Sequence, residues 1–316
     1  MVFVIIIAII LIVLAVAGLV SFKIGIIPKR VKKPETEPIK IERAKWRKAN
    51  NDYLYSLNPE DLSIKTPDGL TLKAWYAPAE NPTNRFVICV HGYNCNGPDE
   101  CSHILKYFRN VKGYNYFLPD LRGHGRSEGN RIGFGYLDSK DILQWIDYLI
   151  NRFGQDIEII LYGISMGAAT VMLVNESNPP EQVKLVIEDC GFTNAYEEMV
   201  NTVKDVLKFN FPFLVTLGNF WCRLLAGYDL KKDADPVGKM KNAKNPVLFI
   251  HGDADTFVPT YMCHKLYDAC PTPKDKLIIP GAVHAFSYYD GKEEYEAKID
   301  DFGLGVALGN VGKHAE

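Results

Sequence analysis

The chain has 316 residues, 47% of them hydrophobic and 12% aromatic, with 36 Lys and Arg against 38 Asp and Glu. That length and apolar content can fill a large core in one big domain or two smaller ones, and a net charge of -2 leaves no basic footprint for gripping nucleic acid. The 7 cysteines are odd in number and form no C-x-x-C pair, which argues against a disulfide framework or a zinc knuckle and for free thiols in a reducing compartment.

From Met1 to Val20 there is no charged and no strongly polar side chain. As a helix this stretch is about long enough to cross a ~30 Å hydrocarbon core. No Lys or Arg precedes it, which disfavours a cleaved signal peptide, although Ala15-Val16-Ala17 mimics a cleavage site. Basic residues follow instead: Lys23, Lys29, Arg30, Lys32 and Lys33. The positive-inside rule then puts the rest of the chain in the cytoplasm, held at the cell membrane by a single-pass anchor over residues 1–22. Residues 23–59 read as a polar juxtamembrane linker with a short helix near Trp46.

One large domain is expected over residues 60–316. "DLSIKTPDGLTLKAWYAP" alternates apolar and polar around Asp68-Gly69, a hairpin signal. Six short apolar runs follow: "RFVICV", "YNYFLPD", "IEIILYG", "VKLVIED", "NPVLFIHG" and "KLIIPG". Helical patterns separate them; Ile142, Trp145, Ile146 and Leu149 share one face. This alternation predicts an α/β fold with a mostly parallel eight-stranded sheet covered by helices on both faces. One connection, about 192–244, is too long for a bare loop and carries helical spacing followed by Phe209, Phe211, Phe213, Phe220 and Trp221. It reads as a helical cap.

"LYGISMGAAT" ends a strand on a glycine, then offers a serine and a second glycine. Gly163 and Gly167 leave room for a sharp strand-to-helix turn that lifts the Ser165 hydroxyl above the sheet and aims the Met166 amide at the same spot. The flanking glycines also fit a plain serine N-cap, so the nucleophile reading depends on partners. A serine needs a base held by an acid. His284, just past the final strand run, is the expected base; His264 and His314 are less well placed. Asp255, in "HGDADTFVP", is the expected acid, with Asp253 as a turn residue and Glu188 or Asp189 as alternatives from the neighbouring strand end. In "HGYNCNG", Gly92 lets the chain turn so that the Tyr93 amide becomes the second oxyanion donor, while His91 reads as a structural hydrogen-bonding residue.

These five segments, "HGYNCNG", "PDLRGHGRSEG", "YGISMGAAT", "HGDADTFVP" and "GAVH", stand in the order found in α/β-hydrolases. Over roughly Asp61 to Asp300 the chain resembles the membrane-anchored BEM46-like and serine aminopeptidase-like members. The resemblance implies Ser165 as nucleophile, Asp255 as acid, His284 as base and Tyr93 and Met166 as backbone oxyanion donors. No cofactor and no metal are expected. "RGHGRSEG" has the spacing G-x-G-x-x-x-G, one residue too long for a dinucleotide fingerprint, so a nicotinamide cofactor is rejected. The expected partners are a small-molecule or acylated substrate and the membrane. The expected reaction is cleavage of an ester, thioester or amide. The alternatives are a peptidase or a silent binding protein on the same fold. Glu197 and Glu198 in the cap, the acidic residues a peptidase would want, read as a solvated helix face. The sequence departs from the family at its glycine-rich tail, "DFGLGVALGNVGKHAE", and in its cap.

Overall fold

The computed structural model describes residues 1–28 and 38–305. The basic cluster Lys29, Arg30, Lys32 and Lys33 and the tail with His314 lie outside the described residues.

Eight strands form one sheet: β1 (Glu60–Lys65), β2 (Thr71–Ala77), β3 (Arg85–Val90), β4 (Asn115–Asp120), β5 (Glu158–Ile164), β6 (Val183–Asp189), β7 (Val247–Gly252) and β8 (Lys274–Ile279), in the order β1-β2-β4-β3-β5-β6-β7-β8. Only β2 runs against its neighbours, pairing antiparallel with β1 and β4. From β4 through β8 every pairing is parallel. The hairpin between β1 and β2 turns at Gly69, whose φ of 89° suits a residue without a Cβ.

The central strands are apolar throughout because both their faces are covered. Alternate residues feed two separate cores. Phe86, Ile88, Ile159, Leu161 and Phe249 point to one. Val87, Cys89, Ile160, Tyr162 and Leu248 point to the other.

The N-terminal helix α1 (Val2–Ile26) is followed by α2 (Pro38–Ser56). The first core packs on α4 (Tyr136–Phe153) through Ile142, Trp145, Ile146 and Leu149, and on α5 (Met166–Glu176). Full burial of one such aliphatic side chain stabilises by ~1.5–3 kcal/mol. The second core is closed by Leu54 of α2, by Ile104 and Phe108 beyond α3 (Gly97–Cys101), and by Tyr295, Ile299 and Phe302 near the C-terminus.

Two regions differ from the sequence reading. The apolar helix α1 extends past residue 22 to Ile26, and Phe22 and Ile26 are buried in the first core. The segment expected to be a linker with a short helix forms the 19-residue α2, which lies on the domain. Trp46 packs against His103 and, edge to face, against Tyr289, Leu54 is fully buried, and Asn51 Nδ2 donates to Asp99 Oδ1. The apolar residues of α2 are few and widely spaced, so their common face is hard to see among the polar ones.

Between β6 and β7 the chain forms α6 (Ala195–Leu207), α7 (Pro212–Leu225) and the short α8 (Pro236–Lys239). Asn194 caps α6 by accepting from the amides of Tyr196 and Glu197. Lys208 ends it in the left-handed region, at φ 55°.

Candidate active site

β3 has β4 on one side and β5 on the other, so the strand order reverses there. In such sheets ligands bind in the crevice beyond the carboxyl ends of the strands. The segments after β3 and β5 carry Tyr93 and Ser165.

Ser165 sits between β5 and α5 at φ 57°, ψ -117°, a sparsely populated backbone conformation for a side-chain-bearing residue. The packing that holds it there explains both glycines. A Cβ on Gly167 would lie 2.0 Å from the Val90 carbonyl oxygen, and one on Gly163 would lie 2.3 Å from that of Gly167. The Ser165 amide donates to the Asp189 carbonyl at 2.8 Å, fixing the turn to β6.

His284 follows β8 and Asp255 follows β7. His284 Nε2 lies 2.9 Å from Ser165 Oγ, and its Nδ1 lies 2.7 Å from Asp255 Oδ2. Asp255 Oδ1 accepts from the amides of Phe257 and Val258, each at 2.9 Å. Burial pushes the Asp255 carboxyl up, but hydrogen bonds from His251 and His284 outweigh it and hold the group at about 2. An ionised carboxylate only accepts, so Nδ1 of His284 carries the ring proton and Nε2 faces the serine hydroxyl as an acceptor. The Phe257 ring flanks the imidazole, with centroids 4.9 Å apart.

The other candidates fall elsewhere. Asp253 Oδ1 accepts from Gly281 N at 2.6 Å, a turn contact. Glu188 Oε2 accepts from Gly191 N, and Asp189 accepts from the hydroxyls of Ser287 and Tyr295. Burial drives both carboxyls up, to about 8 for Glu188 and about 6 for Asp189. His264 lies on α9 (Tyr261–Ala269) beside Lys276. His91 Nε2 accepts from Leu121 N at 3.0 Å, so its Nδ1 donates to Gly92 O at 2.8 Å; its ring braces the turn that carries Tyr93. His124 does the same from the next loop, accepting from Asn94 N. Glu100 accepts from the Gly92 amide.

One expectation is corrected: Glu198 is not on a solvated face. It is 5% exposed, buried under α6, with Oε1 accepting from Thr202 and Oε2 without a partner among the described residues. Burial, and then Asp255, push its carboxyl up to about 9. Glu197 keeps a polar setting, bonded to Thr193, Tyr261 and Lys265. One functional neighbour was missed. His251, buried at the end of β7, donates from Nε2 to Val258 O at 2.8 Å and lies 3.3 Å from Asp255 Oδ2. Its position four residues before Asp255 was the available signal.

Cys190 also stands near the pair, its Sγ within 4.8 Å of the Asp255 and His284 donor atoms. Burial raises its thiol well above the ordinary range, which disfavours the thiolate a metal would need. Asp255 and His284 already satisfy one another.

A family model described as serine aminopeptidase, S33, matches residues 81–217. The chain is 24% identical over 224 residues to protein bem46 of Schizosaccharomyces pombe, covering 70% of this chain and 69% of that one. It is 24% identical over 220 residues to the membrane protein YNL320W of Saccharomyces cerevisiae, covering 69% and 70%. The esterase Pf2001 of Pyrococcus furiosus superposes with a TM-score of 0.67 at 20% identity, covering 90% of this chain and 98% of that chain. The reversal of strand order at β3, the sharp turn after β5 and these likenesses agree, and the chain has the α/β-hydrolase fold.

Proposed function

We propose that the protein is a membrane-anchored serine hydrolase that cleaves a carboxylic ester, thioester or amide through an acyl-enzyme. The observation that carries this reading is the continuous hydrogen-bond chain from Ser165 Oγ through His284 to Asp255, set on a strained turn. His284 Nε2 takes the hydroxyl proton as Ser165 Oγ bonds to the carbonyl carbon. Asp255 holds the imidazole tautomer and balances the imidazolium that forms. The oxyanion is met by the amide of Met166, at the N-terminus of α5, and by that of Tyr93; one such donor is worth ~3–4 kcal/mol in the barrier. Collapse of the tetrahedral adduct breaks the bond to the leaving group, which departs with the proton from His284. Water then repeats the sequence and frees the acid and the serine.

The anchor is α1, the one described helix long and apolar enough to cross a membrane, with 6% of its most apolar window buried. The basic residues that follow it favour a cytosolic domain, and a compartment-specific reporter fused to the C-terminus tests that side. A fluorophosphonate probe is expected to label the protein, and Ser165→Ala to abolish labelling with the fold intact. Labelling that survives the substitution refutes the assignment.

The peptidase reading stays second because of Glu198. Its Oε2, buried where the Asp255 charge reaches it and without a partner among the described residues, is the acceptor a substrate amine would use in that reading. Aminoacyl-anilides hydrolysed faster than p-nitrophenyl esters, with the preference lost in Glu198→Gln, would favour it over the esterase reading.

A further inference from the structure

Outside α1, large exposed apolar side chains concentrate in one place. Phe209, Phe211, Phe213, Phe220 and Leu224 of the cap are 41–66% exposed. The stretch between Lys208 and Arg223 contains no charged residue. A soluble domain rarely displays so continuous an apolar patch without a partner.

The same helix that carries Phe220 and Leu224 packs directly on α1. Trp221 Nε1 donates to the Ala15 carbonyl at 2.9 Å. A Cβ on Gly18 would meet Leu217 O and the Trp221 ring at 2.9 Å, and one on Gly218 would meet Ser21 Oγ at 2.7 Å. Small residues on both helices thus permit the close backbone approach typical of helices packed within membranes.

Length decides where this contact lies. Residues 2–13 of α1 are exposed throughout. At ~1.5 Å per residue they span only about 20 Å, short of the ~30 Å hydrocarbon core. To cross that core α1 must also use Ala15 through Ser21, the stretch that α7 contacts on one face at Ala15, Gly18 and Ser21. The helix enters the bilayer with α7 already attached.

We infer that the cap docks into the lipid bilayer, with α7 immersed beside α1 and the apolar side chains of Phe220 and Leu224 in contact with acyl chains. The bilayer is the occupant because the patch continues the surface of α1 and carries no charge for a soluble partner. Trp221 brings no unpaired donor into the hydrocarbon, since its indole N–H is bonded to the Ala15 carbonyl of α1. The inference rests on the anchor reading above.

The test uses the full chain reconstituted in phosphatidylcholine vesicles, with and without brominated acyl chains. Cys95, the only incompletely buried cysteine among the described residues, is replaced by serine. Single bimane-labelled cysteines are placed by Phe220→Cys, Leu224→Cys, Ile10→Cys in α1, and Glu181→Cys before the amino end of β6, opposite the carboxyl ends that carry the cap. All four positions are exposed, so the fold tolerates the label. The expected result is loss of emission in brominated vesicles at 10, 220 and 224, with none at 181. Loss at 10 but not at 220 and 224 overturns the docking of the cap and leaves the anchor standing. Loss at none of them overturns the anchor reading itself. Emission at 220 that ignores bromine but changes with the protein-to-lipid ratio points to a second copy on the patch, and also overturns the proposal.

Discussion

Replacing Asp255 by Asn probes the proposed chemistry most directly, because the two residues have the same shape and differ in charge and in one donor. Asn Oδ1 can keep both bonds from the amides of Phe257 and Val258. Its Nδ2 then replaces the oxygen that faces His284 Nδ1 at 2.7 Å and His251 Nε2 at 3.3 Å. Two donors would meet there, so the His284 ring moves its proton to Nε2 and presents Nδ1 as the acceptor. A protonated Nε2 cannot accept from Ser165. Loss of the correct tautomer and of the balancing charge costs about 10⁴ in kcat by analogy with other such triads, or about 5.5 kcal/mol at 1.36 kcal/mol per decade. Stability should change far less. Holding a carboxyl near 2 instead of its ordinary 3.8 stabilises the fold by about 2 kcal/mol at neutral pH. That contribution is fully present above 3.8 and disappears as pH falls toward 2. For a domain of this size its loss lowers Tm by about 5 °C. Steady-state hydrolysis of a p-nitrophenyl ester, the rate of fluorophosphonate labelling and a thermal melt together read both effects. A variant that melts near the wild type and keeps activity within about tenfold of it would refute the role given to Asp255 and the tautomer argument behind it.

Three further outcomes follow from named contacts. Arg122→Ala should destabilise the fold by ~3–5 kcal/mol, because Arg122 makes two 2.6 Å bonds to the buried Asp141 and its removal strands that charge; in denaturant titrations, the double replacement Arg122→Leu with Asp141→Leu should recover most of the loss. Gly167→Ala should cost ~3 kcal/mol or more and reduce the yield of folded protein, since its Cβ would meet the Val90 carbonyl at 2.0 Å and only movement of β3 or α5 relieves it; a melt unchanged from the wild type would contradict the packing described. Asp189 is held at about 6, above its ordinary 3.8, so its burial costs stability increasingly as pH rises from about 4 to 6; Asp189→Asn should therefore gain on the wild type by about 3 kcal/mol between pH 4 and pH 7 in unfolding free energy, and a difference that does not vary with pH would show that the carboxyl is not held up by burial.

The parts of the molecule governed by short-range rules were legible in the chain. Six apolar runs and one alternating hairpin announced an eight-stranded sheet, since a strand buried on both faces must be apolar along its length. The glycines around Ser165 marked a turn too tight for side chains; the clash that requires Gly163 acts over four residues, while the one that requires Gly167 comes from Val90 of β3. The ends of β7 and β8 were visible as places where apolar runs stop, and this is why Asp255 and His284 could be named before their distances were known.

What the chain left open depends on residues far apart in sequence. Glu198 reads as one more acid on an amphipathic helix, and only the docking of α6 over the sheet removes it from water. His251 reads as part of a strand end, and its approach to Asp255 depends on how the following turn folds back. The polar segment before β1 contains one tryptophan and a scatter of apolar residues, too few for a clear period, yet packing against His103 and Tyr289 makes it a helix of the domain. The pairing of α1 with α7 joins residues about two hundred positions apart, as in the bond from Trp221 to Ala15. Local hydrophobic period and backbone sterics wrote the sheet and its turns into the sequence. Burial of charge and contact between distant helices appeared only when tertiary packing set which surfaces exclude water.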